Sequence, residues 1–246
     1  MKSVSDLQTY FGEKLEISLD DLREYFQSID PDIPDSTVNW RVHDMIKSSI
    51  LHRIGRGQFE LGSGRQYLPE LNPRVIKILK FIQKNFSDVT YCAWNSDLLN
   101  EFAQHLSAYP FIVLDVEKEV AESIYYSIKE QFNGVFLRPS ESLINDLLPD
   151  FRLPIIIRYL ISESPINEQN NLPLVSLEKI LVDVFCDMEF SFLAGGERRA
   201  IFRNAYYKYT INENKLLRYA ARKGRRPDIH KYIMEGGFTE QKFKPI

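Results

Sequence analysis

The sequence predicts a mixed α/β protein in two parts, and three observations carry that prediction. Residues 5–49 show helical spacing and run straight into a glycine-marked hairpin, residues 89–161 alternate strand and helix patterns, and residues 176–234 hold a run of four helical patterns. At 246 residues the chain exceeds the ~150 of a typical domain, so it can build one or two cores. Hydrophobic residues at 44% and charged residues at 26% exclude a disordered or collagen-like chain. The expected division is residues 1–66 and residues 72–246.

Residues 5–14 and 18–28 read as short amphipathic helices. The second opens with Ser18 as N-cap and Asp20 and Asp21 in its first turn, with Leu19, Leu22, Tyr25 and Phe26 on one face. Asp30-Pro31-Asp32-Ile33-Pro34 stops it. A third helix, capped by Asp35, is expected over 36–49. Its core face is Val38, Val42, Met45 and Ile46, which leaves Thr37, Asn39, Trp40, Arg41, Asp44 and Lys47 on the other sides. From Leu51 to Leu61, apolar residues flank Gly55-Arg56-Gly57. This is a hairpin signal, because glycine supplies the positive φ of tight turns.

Three helices followed by a hairpin with an arginine at its tip is the layout of a winged helix-turn-helix. The third helix is narrow enough to enter a DNA major groove, and an extended wing lets an arginine reach phosphate or the minor groove. In that reading Thr37, Asn39 and Arg41 face the groove with Lys47, while Arg53 and Arg56 sit on the wing. Charge agrees: from Thr37 to Gln66 the basic residues Arg41, Lys47, Arg53, Arg56 and Arg65 meet only Asp44 and Glu60. A winged helix that binds protein instead of DNA is the alternative for the same layout. Trp40 fits either as an exposed contact residue or as a lid on the small core.

Beyond an expected linker at 62–71, Asn72 caps a helix that has Pro73 at its first position. Strands are then expected at 89–94, 111–116, 134–137 and 153–161. Helices are expected at 96–106, 117–132, 140–148, 176–187, 197–209, 212–223 and 227–234. In the helix after Ser176, Leu177, Ile180, Leu181 and Val184 form an apolar stripe. Glu178, Lys179 and Asp183 read as solvated or end-of-helix charges.

Residues 67–197 hold 10 basic and 19 acidic residues, whereas residues 198–231 hold 11 basic and 2 acidic. Basic residues there, including Arg198, Arg199, Arg222, Arg225 and Arg226, are interleaved with tyrosines. That pattern suits a phosphate backbone, or equally a set of helices docked on the acidic block.

Cys92 and Cys186 are far apart and read as buried reduced thiols; His43, His52, His105 and His230 have no metal-ligand spacing. No cofactor is expected. No apolar run approaches the ~18 residues of a membrane span, and the first ten residues lack the apolar core of a signal peptide, so a cytoplasmic location is expected.

Two stretches resemble one family. Thr37-Val38-Asn39-Trp40-Arg41-Val42 through Leu51-His52-Arg53-Ile54-Gly55-Arg56-Gly57-Gln58-Phe59 is similar to the N-terminal winged helix of AbiEi-type antitoxins. Leu174 to Asp183 resembles the Ser-x-Glu-Lys-x-Leu-x-Asp helix of the same family's C-terminal domain. The resemblance implies a regulator that represses its own operon and counteracts a nucleotidyltransferase toxin in an abortive-infection system. It also implies a second domain of nucleotidyltransferase-like fold without a working active site. By the same match Arg41 and Arg56 are DNA contacts, and Ser176, Glu178, Lys179 and Asp183 are a structural signature. The partners so implied are an operator duplex and a toxin or its target, with no membrane.

An enzyme would have to start from Asp115 and Glu117. Two apart at a strand end, they would share a face and could hold a divalent metal for a nucleotidyltransferase or nuclease. Trp94-Asn95-Ser96-Asp97 lacks the Gly-Ser of a nucleotidyltransferase, and Glu117 and Lys118 are adjacent rather than spaced as a nuclease requires. No catalytic residue is assigned.

Overall fold

The computed structural model describes residues 4–238 except 13, 15, 48–49, 63–65, 107–108 and 148–149. It is mixed α/β, with three small sheets among helices. Three helices, α1 (Val4–Phe11), α2 (Leu19–Gln27) and α3 (Asp35–Lys47), come first. Ser18 caps α2 as its sequence requires: its hydroxyl accepts from Asp21 N at 3.1 Å, and the Asp21 carboxylate accepts from Ser18 N at 2.8 Å. Asp35 is the first residue of α3 rather than its cap, and Thr37 N and Val38 N donate to the Pro34 carbonyl.

The hairpin forms as predicted, from β2 (Leu51–Gly55) and β3 (Gln58–Leu61). Arg56 and Gly57 make its tip, where Gly57 adopts φ +70°. Strand β1 (Ile17–Ser18), not among the expected elements, pairs with β3 to complete the sheet. Two residues are too few to show alternation. Leu7, Ile17, Leu22, Phe26, Val38, Val42, Leu51 and Phe59 form the core of this N-terminal region.

After α4 (Pro73–Asn85), capped by Asn72, comes a four-stranded sheet in the order β4 (Tyr91–Asn95), β5 (Ile112–Val116), β7 (Ile155–Tyr159), β6 (Val135–Leu137). The last three strands are parallel, and β4 is antiparallel to β5. The alternation along each strand assigns its faces. Ile112, Leu114, Val116, Ile155 and Ile157 pack with α4 and α5 (Ala121–Lys129). Cys92, Trp94, Val113 and Ile156 face the opposite core, where α6 (Glu141–Leu147) contributes Ile144.

That second core also holds α7 (Leu177–Cys186), α8 (Gly196–Lys208), α9 (Glu213–Arg222) and α10 (Arg226–Gly236). Two expected helices are shorter than their patterns: 96–106 is a 3-10 turn at Ser96–Glu101, and 117–132 divides into a 3-10 turn at Lys118–Val120 and α5. A hairpin of β8 (Ile166–Gln169) and β9 (Leu172–Val175) was not expected. Its turn, Asn170-Asn171, has positive φ at both residues, the geometry that joins twisted strands by two residues.

Candidate functional site

Two arrangements of charge stand out, and they meet on α9. The first is a network buried between the sheet and α7. On β5 and β7, Asp115 and Arg158 are register partners, and by the period-two rule both face α7. The Arg158 guanidinium grips Asp115 with two bonds, from Nε at 2.8 Å and an Nη at 3.0 Å. It also donates to Asp183 at 3.0 Å and Asp187 at 2.7 Å. Lys179 Nζ lies 2.7 Å from Asp115 and 2.6 Å from Asp183, one turn along the same helix. Lys223, just past α9, lies 2.8 Å from Asp183 and 2.6 Å from Asp187. Tyr219 of α9 donates to Asp183 at 2.9 Å.

Lys179 and Asp183 are both 0% exposed, which corrects the expectation of solvated charges. Eight consecutive residues of α7, Leu177–Val184, are buried, so this helix has no solvent face to place them on. Glu178 is buried as well, and its carboxylate accepts from the backbone of Asn212, the cap of α9, at 3.0 Å. Ser176 caps α7.

Burial alone would raise the carboxyl of Asp183, but Lys179, Lys223 and Arg158 hold it well below the usual range. Against the same burial, Arg158 and Lys179 hold Asp115 down. Asp187 goes the other way, pushed up by burial and the Asp183 charge despite Arg158 and Lys223. Burial pushes the Tyr219 hydroxyl up to about 12. The Cys92 thiol is likewise pushed up to about 12, and that of half-buried Cys186 to about 11, so both are free and protonated at neutral pH.

Asp115 therefore has both oxygens engaged by cations. Strand β5 ends at Val116, so the alternation that would place Glu117 on the face of Asp115 stops one residue short of it. Among the described residues no group of three or more His, Cys, Asp or Glu side chains is placed to hold a metal.

The second arrangement is a concavity of about 610 Å³ between the β2–β3 hairpin and α9–α10. Arg53, Arg56, Arg218 and Arg226 line it, with Asn212, Asn214, Leu217 and Ala221. All four arginines are exposed, and none of these eight lining residues is acidic. The Asn214 side-chain amide donates to the Arg53 carbonyl at 3.5 Å, tying hairpin to helix.

The predicted DNA contacts thus divide. The concavity gathers Arg53, Arg56 and Arg226. It adds Arg218, which in the sequence was one more basic residue of a run. On α3, Asn39 and Trp40 are exposed, Trp40 at 66%, while Thr37 is half-buried. Arg41 is half-buried too, with its guanidinium over the Phe26 ring at 5.2 Å. Arg199 is exposed, and half-buried Arg198 lies over the Phe185 ring at 5.4 Å. Arg222 pairs with Glu163 and Arg225 with Asp228. Arg65 and the side chain of Lys47 lie outside the described residues.

Fold and charge layout define a mixed α/β protein with a basic concavity on one side of α9 and a buried ion network on the other. The chain belongs to DUF6577, a family of unknown function, whose model matches residues 37–237. That match runs from within α3 through the hairpin to the end of α10, so the matched span includes the residues of both the concavity and the network. No curated protein matches the sequence. Among the described residues no helix is long and apolar enough to cross a membrane.

Proposed function

We propose that the protein is a DNA-binding transcriptional regulator. Residues 1–66 act as a winged helix-turn-helix, and α9 and α10 extend the binding surface. The observation that carries this reading is the concavity. Four arginines from elements some 160 residues apart in sequence line one surface with no carboxylate among its described lining residues. Such a surface attracts a polyanion, because each arginine that neutralises a phosphate releases condensed counterions. In this reading the hairpin tip and α9 hold the backbone while Asn39, Trp40 and Thr37 of α3 face the groove. Arg41 reads a base only after leaving Phe26.

The resemblance to AbiEi-type antitoxins carries the proposal one step further, to a repressor of its own operon that counteracts a toxin made from it. The Ser176, Glu178, Lys179 and Asp183 signature supports it: Ser176 caps α7, and the other three tie that helix to its surroundings. The cations that engage both oxygens of Asp115 favour a regulator over a metal-dependent enzyme on a nucleotidyltransferase-like sheet.

Fluorescence anisotropy on the duplex upstream of the gene, against a scrambled duplex, tests the proposal between about 50 and 200 mM salt. Tighter binding to the upstream duplex, with a log–log salt slope of roughly −4 to −8, is expected. Absence of binding to either duplex at low salt would leave the concavity to a protein partner.

A further inference from the structure

The parallel strands β5, β6 and β7 end on the same side of the sheet, at Val116, Leu137 and Tyr159. From β5 the chain passes to α5 on one face, and from β6 it passes to α6 on the other. Connections that diverge in this way leave a crevice beyond the carboxyl ends of the strands, which is where open α/β sheets take their ligands. A crevice of about 600 Å³ lies there, lined by Asp115 from β5, Arg158 and Tyr159 from β7, and Arg138, the residue after β6. That volume falls within the ~300–1,000 Å³ of small-molecule sites.

Its charge is divided between floor and rim. On the floor, Asp115 is held by Arg158 and Lys179, Asp187 by Arg158 and Lys223, and buried Glu189 lies 3.8 Å from Arg158, so each of the three lining acids faces a cation. Three further cations, Arg138, Arg222 and Arg225, stand at the rim. Exposed Arg138 has no carboxylate partner among the described residues; its guanidinium lies over the Tyr159 ring at 4.4 Å. Its backbone adopts φ +46°, a conformation that non-glycine residues rarely take and that gathers at ligand sites. Among the described residues Arg222 pairs with exposed Glu163 and Arg225 with exposed Asp228, Arg225 lying also over the Phe185 ring at 5.7 Å, and exposed pairs of this kind are weak enough to be exchanged for a stronger anion. Beside these cations Ile161 and Met188 supply an apolar wall.

We infer that this crevice binds a phosphate-bearing small molecule of nucleotide size, with its phosphates on Arg138, Arg222 and Arg225 and its organic part against Ile161 and Met188. A free phosphate would use the same cations but would leave most of the volume and the apolar wall unfilled. The crevice shares no lining residue with the basic concavity, so this site stands apart from DNA binding.

The test is isothermal titration calorimetry on the full chain at fixed ionic strength, with ATP, pyrophosphate, inorganic phosphate and adenosine as probes. ATP is expected to bind, and adenosine and inorganic phosphate to bind at least about tenfold more weakly, because each offers only part of the ligand. Arg138→Ala is expected to weaken ATP binding about tenfold with unchanged Tm, since Arg138 belongs to no core. Arg222→Ala, outside the buried network, provides a second variant with the same expectation. No heat from ATP at millimolar concentration would overturn the inference. So would adenosine or inorganic phosphate binding as tightly as ATP, or ATP binding unchanged in both variants. Duplex binding should be the same in Arg138→Ala and the wild type, so this inference and the DNA reading fail independently.

Discussion

Helix α9 separates two regions that treat positive charge in opposite ways. On one side Arg218 stands with Arg53, Arg56 and Arg226 in an open concavity without a carboxylate among its described lining residues. On the other, Tyr219 and Lys223 join a network in which each cation touches two or more aspartates. The side chains are similar; the surroundings decide their use. An exposed arginine on a surface whose described lining holds no acid can recruit an external polyanion, whereas a buried one must be matched inside the protein because an unpaired charge there costs several kcal/mol. The basic C-terminal run of the sequence is therefore two populations, one directed outward and one spent on holding α9 to α7 and the sheet.

The largest effect that would sharpen this contrast is in the network. Lys179→Met removes one of the two cations that Asp115 and Asp183 share, leaving Arg158 alone to bridge them, and should cost about 3–5 kcal/mol, seen as a fall in urea midpoint. Duplex affinity per folded molecule should not change. The reverse pattern is expected of the double substitution Arg56→Glu with Arg218→Glu. Duplex affinity should drop by about a hundredfold or more near 100 mM salt, with Tm almost unmoved, because both side chains are exposed. If either variant moved both readouts together, the two regions would not be separate.

Acid should expose the network next. Asp115 and Asp183 are held below their ordinary value, so the stability they contribute is present above about pH 4 and is lost as pH falls through their folded values. Asp187, pushed up, opposes this: it costs stability above its folded value and returns it on protonation. A urea midpoint followed from pH 7 down to pH 3 should therefore fall mainly below about pH 4. A midpoint that fell already between pH 7 and pH 5 would contradict the assignment. The smallest effect belongs to the N-terminal region, where Ser18→Ala removes the cap of α2 at a cost of about 1 kcal/mol and leaves the network untouched.

Much of this fold was legible from local chemistry. Ser18, Asn72, Ser176 and Asn212 each mark a helix start that the structure keeps, and the glycine at the hairpin tip marks the turn. The β8–β9 hairpin was missed although its signal was present, since Asn170-Asn171 supplies the two positive φ values such a turn needs.

The network was harder to foresee. Lys179 and Asp183 are four apart, the spacing of an ordinary surface pair, and Asp115 and Arg158 are 43 residues apart until parallel pairing makes them neighbours. One hint lay in Val182, an apolar residue outside the stripe of Leu177, Ile180, Leu181 and Val184, which makes α7 apolar on more than one side and so buried. The concavity offered no such hint, because its two halves meet only through tertiary packing of the hairpin against α9.

The central claim is that the concavity is a polyanion surface, and its most direct test is the salt slope of duplex binding. Replacing Arg53, Arg56, Arg218 and Arg226 by alanine one at a time should reduce the log–log slope by ~0.9 for each arginine that contacts a phosphate, while Arg199→Ala, outside the concavity, leaves it unchanged. Slopes identical to the wild type in all four variants would contradict the account.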